Sequence, residues 1–112
     1  MQEKNSFSDK ALAVIDQSIQ DINFGEIVLI VQDGHIVQIE RTERIMISSR
    51  TKVQRDKKPE EVNRLRNKIL SGLTNLQYGQ VVVKIKDGKA VQIEKTEKRR
   101  FPELEGIYGD GI

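Results

Sequence analysis

No cysteine occurs among the 112 residues, so disulfides, thiolate metal sites and a cysteine nucleophile are excluded, and a cytoplasmic location is compatible with the chain. Tryptophan is also absent, and three Phe with two Tyr supply all the aromatic surface, so a core must rest on Ile, Val and Leu. Proline is limited to two positions and histidine to His35. The longest apolar run, Ile27 to Val31, is far short of the roughly 20 residues that span a bilayer, and residues 1 to 10 lack a basic start leading into an apolar stretch. Neither a membrane span nor a secretory leader is therefore expected. With 37% apolar and 32% charged residues, the composition suits one modest globular unit, and a large multidomain enzyme is excluded.

What is there is a duplication. Setting Ile22 against Leu76 aligns INFGEIVLIVQDGHIVQIERTER with LQYGQVVVKIKDGKAVQIEKTEK without a gap. The identities include Gly25/Gly79, Val28/Val82, Asp33/Asp87, Gly34/Gly88, Val37/Val91, Gln38/Gln92, Ile39/Ile93, Glu40/Glu94, Thr42/Thr96 and Glu43/Glu97. The same offset pairs Ala11, Ile15, Ile19 and Ile22 with Leu65, Ile69, Leu73 and Leu76, an apolar repeat close to four residues that marks one helix face. Each half thus reads as one helix followed by a two-stranded hairpin. Ser6 with Asp9 resembles a capping box, and Pro59 suits the first helical position, with Glu60 and Glu61 at the positive end of the helix dipole.

Asp33-Gly34 and Asp87-Gly88 are the hairpin turns. A two-residue loop would set Leu29 opposite Gln38 and mix polar with apolar residues, so the expected loop is Gln32-Asp33-Gly34, closed by a left-handed glycine. In that register Leu29 faces Val37 and Ile27 faces Ile39 on the core side, while Val28, Ile30, Ile36, Gln38 and Glu40 point away. Ile45 and Ile47 prolong the alternation, which predicts a second strand running toward Ser48.

A single helix-hairpin unit buries too little apolar surface to stand alone. The two should share a core in an α+β fold: a tandem α-β-β repeat forming a pseudo-two-fold four-stranded antiparallel sheet with both helices on one face. The expected division is repeat one over 8–47, a basic linker over 48–58, repeat two over 59–100 and a flexible acidic tail over 101–112. Which strands meet at the centre stays open at this level.

The pattern Gly-x-Val-x-Ile-x-x-x-Asp-Gly-x-x-Val-Gln-Ile-Glu-x-x-Glu, present as GEIVLIVQDGHIVQIERTE and again as GQVVVKIKDGKAVQIEKTE, resembles the YezD-like family of small, largely uncharacterised bacterial proteins. Members usually hold one such unit, so this chain looks like a covalently fused dimer. A subset carries a sulfur-starvation response role, which is what the resemblance implies here; it supplies no catalytic residues to transfer.

No catalytic, cofactor or metal site emerges from the residues: His35 sits beside a turn with Lys89 as its counterpart, and no acidic spacing matches a calcium loop. A noncatalytic binding or regulatory protein with a protein partner, or one that self-associates, is the expectation. Its candidate surface is Gln38, Glu40 and Thr42 with Gln92, Glu94 and Thr96, which would line one groove if the second strands met. Nucleic-acid binding is the alternative, through a basic surface of Arg50, Lys52, Arg55, Lys57, Lys58, Lys84 and Lys86. The charge asymmetry motivates it: residues 1–54 hold six basic against eight acidic groups, and residues 55–112 hold thirteen against nine.

Overall fold

The structure is a computed structural model that describes residues 7–47 and 57–99. The elements follow the order α1 (Asp9–Asp21), β1 (Gly25–Gln32), β2 (His35–Glu43), α2 (Pro59–Leu73), β3 (Tyr78–Lys86) and β4 (Lys89–Glu97). Residue 48 through 56 of the basic linker and all of the acidic tail lie outside the described residues.

Local chemistry explains the helix ends. Ser8 caps α1 by accepting a hydrogen bond from the Ala11 backbone N–H at 3.1 Å, and Ser6 of the expected capping box lies outside the described residues. Pro59 occupies the first turn of α2, and the Glu61 carboxylate accepts the Lys58 backbone N–H at 3.2 Å. Beyond α2, Asn75 takes a left-handed φ of 68°, a conformation in which Asn is tolerated and which turns the chain into β3.

The strands form one antiparallel sheet in the order β2-β1-β3-β4. The first strands of the two repeats therefore meet at the centre, with Val28 directly opposite Val82 on the pseudo-two-fold axis. The second strands are the edges. Both helices cover one face, where Ile15, Ile19 and Ile22 from the first helical segment and Ile69, Leu73 and Leu76 from the second close over Ile27, Leu29, Val31, Val81, Val83 and Ile85. All of these are almost fully buried, as the apolar repeat predicts. Val62, absent from that repeat, joins the core from the first turn of α2.

The hairpin register differs from the expectation. Asp33 and Gly34 form a two-residue turn with both φ angles positive, 53° and 75°, and Gln32 pairs with His35. That is the type I′ geometry, whose twist matches the strands it joins. The mixing of polar and apolar residues that argued against it is removed by a bulge: Val31 pairs with Ile36 and Ile30 with Gln38, so Val37 is an extra residue. Past the bulge the alternation is restored, and Leu29 faces Ile39. Repeat two does the same, with Ile85 opposite Ala90, Lys84 opposite Gln92 and Val91 bulged. Consequently Ile36 and Ala90 pack against the core, whereas Val37 and Val91 are 53% and 60% exposed.

Strand β2 also stops at Glu43 rather than continuing toward Ser48. Ile45 and Ile47 beyond it are 81% and 95% exposed, because among the described residues no strand or helix reaches past the end of β1 to cover them.

Candidate functional site

The face of the sheet opposite the helices carries the candidate residues. Strand pairing arranges them in three rows across the four strands: Thr42-Glu26-Lys84-Gln92, Glu40-Val28-Val82-Glu94 and Gln38-Ile30-Gln80-Thr96. Gln38, Glu40, Thr42, Gln92, Glu94 and Thr96 thus share one face, but three lie on each outer strand. They do not line a common groove, because β1 and β3 meet at the centre instead of the second strands. With strands roughly 4.8 Å apart, about 14 Å separates the two sets. Val28, Ile30 and Val82, partly exposed, form the floor between them.

Each repeat orients its carboxylate in the same way. The Gln38 side-chain amide donates to the Glu40 carboxylate at 2.5 Å, and the Gln92 amide donates to that of Glu94. Lys84 approaches Glu94 at 3.7 Å, and Arg44 approaches Glu26 at 3.9 Å. These are exposed pairs, worth little in water but enough to bias side-chain directions.

The candidate basic surface is dispersed by the fold. Arg50, Lys52 and Arg55 fall outside the described residues. Lys57 is not a surface cation: its ammonium donates to the carbonyls of Ile19, Gln20 and Ile22 at 2.5, 3.3 and 3.0 Å. It satisfies the C-terminal end of α1, which has no basic residue of its own in its last turn. Burial lowers the Lys57 pKa, an effect that Glu61 and Asp21 oppose. The backbone N–H of Lys57 adds a 2.6 Å bond to the Gln20 side chain. Lys84 faces Glu94, so Lys58 and Lys86 are the remaining described members, on a helix start and a strand end.

The turn residues have a second role that sequence reading missed. The Gly34 N–H donates to the Gln77 carbonyl at 3.0 Å, and the Gly88 N–H donates to the Asn23 carbonyl at 2.9 Å, so each hairpin tip docks on the segment preceding the other repeat's first strand. The Tyr78 hydroxyl reinforces this by donating to the Asp33 carboxylate. No side-chain signal in the sequence marks the Gly34 and Gly88 bonds, because both are accepted by backbone carbonyls that any residue would supply.

Among the described residues no group of three or more His, Cys, Asp or Glu is placed to hold a metal ion, and no helix is long and apolar enough to cross a membrane. No curated protein and no solved structure matches the chain. A family model does match, once over residues 12–47 and again over 66–101, each hit taking in one hairpin with the C-terminal part of the helix before it, and together more than half of the sequence. The chain therefore belongs to the family described as uncharacterized small protein (DUF2292), of which it holds two tandem copies.

Proposed function

We propose that the protein is a noncatalytic binding or regulatory module of the bacterial cytoplasm, and that its working surface is the bare face of the sheet. The observation that carries this reading is the arrangement of that face: Val28, Ile30 and Val82, partly exposed on the side of the sheet away from both helices, set between two side-chain-oriented carboxylates. A solvated sheet face with no partner would be expected to show polar residues at its centre, not valines aligned on the pseudo-symmetry axis. The resemblance to YezD-like proteins adds a place in the sulfur-starvation response. His35, the only histidine, is exposed beside a turn, which suits a role in solubility better than one in proton transfer.

The test is a photo-crosslinking residue placed at Gln80, on the bare face, and separately at Lys10 on α1, in cells grown with and without sulfate. Adducts that form from position 80 and not from position 10, and that rise on sulfur limitation, are the expected result. Equal yields from both positions, or none from position 80, overturn the reading.

Nucleic-acid binding is the less supported proposal, since Lys57 is committed to capping α1 and Lys84 stands between the carboxylate-bearing Glu26 and Glu94, which repel phosphate. Retention of the protein on random-sequence DNA at about 50 mM salt, lost steeply by about 200 mM, would reinstate it.

A further inference from the structure

We propose that the bare face of the sheet docks one amphipathic helix of a protein partner, apolar along one stripe and basic along both flanks. This builds on the binding-module reading and names the chemistry of the partner. The geometry that points to it is the central row, Glu40-Val28-Val82-Glu94, in which two carboxylates bracket two valines across the full width of the sheet. Ile30 extends the apolar strip toward the β1 hairpin end.

The dimensions match. An α-helix with its side chains is about 10 Å across, and the carboxylate-bearing strands are about 14 Å apart, so a helix laid along β1 and β3 rests its apolar stripe on Val28, Val82 and Ile30, with Glu26 and Lys84 under one end and Gln80 beside Ile30. Long basic side chains on its two flanks then reach outward and down to Glu40 and Glu94. The carboxylates are already directed by Gln38 and Gln92, which lowers the ordering cost of meeting a guanidinium. Lys84 competes at the Glu94 end, but only as a 3.7 Å pair with both side chains nearly half exposed. Glu40 has no ion-pair partner among the described residues, so it is the stronger anchor.

Other occupants fit less well. Stacking a second copy face to face would bring four of these carboxylates together, and the face offers roughly 400 Å² per copy, about half of what a standard stable interface buries per partner. Phosphate groups would be repelled by the same carboxylates. A basic-flanked helix gains from them, and the small area makes the contact a transient one.

The experiment uses the full chain and a synthetic helical peptide of about 18 residues with a leucine stripe and arginine on both flanks, against a control peptide with glutamate flanks. The readout is methyl NMR of Val28, Ile30 and Val82, with buried Leu29 and Val81 as internal references. The expected result is perturbation of the first three by the arginine peptide alone, with roughly tenfold weaker binding after joint Glu40→Gln and Glu94→Gln exchange, and a larger share of that loss from Glu40→Gln. Equal binding of the glutamate peptide, absence of perturbation at Val28 and Val82, or concentration-dependent shifts of these methyls without peptide would each overturn it. Face-directed crosslinks in cells together with a silent arginine peptide would sink the helix and leave the binding module standing; loss of both would sink both.

Discussion

Gly25 and Gly79 show how a single side chain can be forbidden by topology. At φ values of 152° and 153° each sits where a Cβ would lie 1.9 or 2.0 Å from the Thr42 or Thr96 carbonyl oxygen, a backbone atom that cannot yield. Gly25→Ala should therefore cost more than about 2 kcal/mol in urea unfolding. Gly72 has the opposite prognosis. Its φ is ordinary and a Cβ would meet the Val81 methyls at 3.8 Å or more, an ordinary packing distance, so Gly72→Ala should stabilise by about 1 kcal/mol through helix propensity. Its equivalent in repeat one is Ser18, fully buried, with a hydroxyl that finds no partner among the described residues. Ser18→Ala should likewise raise the urea midpoint. Lys57→Met removes three bonds to helix carbonyls and should cost about 1–2 kcal/mol at neutral pH. Because burial lowers the folded-state pKa of Lys57, the folded protein sheds this proton before the unfolded chain does. The stability of the unaltered protein relative to Lys57→Met should then rise as pH climbs toward the ordinary lysine value of 10.5, a gain visible by comparing urea midpoints of the two proteins across that window.

Elements settle questions that residue identity leaves open. In the hairpins, both loop lengths were compatible with Asp-Gly, and the alternation of apolar residues favoured the longer one. The bulge at Val37 reverses that judgement, because one unpaired residue moves every later side chain to the other face. The two registers make different demands on Val37. The three-residue loop would bury it against Leu29, whereas here it is 53% exposed. Val37→Ala should change stability by less than about 0.5 kcal/mol, while Leu29→Ala, in the centre of the core, should cost about 3 kcal/mol. A large penalty at Val37 in equilibrium unfolding would argue for the other register. The bulges also sit on the two edge strands, where they and the charged residues Arg41 and Lys95 discourage edge-to-edge pairing.

At the scale of the whole molecule the two repeats complete each other's structure, so they are expected to unfold as one cooperative body. The central strand pair joins Gly25 through Gln32 to Tyr78 through Ile85, each hairpin tip docks on the opposite repeat, and Asp16 of α1 meets Arg66 of α2 at 3.2 Å. A substitution confined to repeat one, such as Ile27→Ala, should lower the protection of slowly exchanging amides in β3 and β4 as much as in β1 and β2. Independent loss of the two halves in hydrogen exchange would contradict a shared core. At the same scale, the acidic first half and the basic second half are joined in one sheet, where Glu26 stands directly opposite Lys84.

The duplication, the two helix-hairpin units, the buried helix face and the positions of the turns were all legible in the sequence. These features depend on local periodicity and on residues with restricted backbone preferences, and both are written within a few neighbouring positions. The strand order, the bulges and the use of Lys57 were not. They depend on contacts between segments tens of residues apart, for which one alternating pattern suits a centre strand and an edge strand equally. Tertiary structure thus decided that Gln38, Glu40 and Thr42 stand across a valine floor from Gln92, Glu94 and Thr96 instead of beside them, because the two most apolar strands bury the most surface by taking the middle of the sheet.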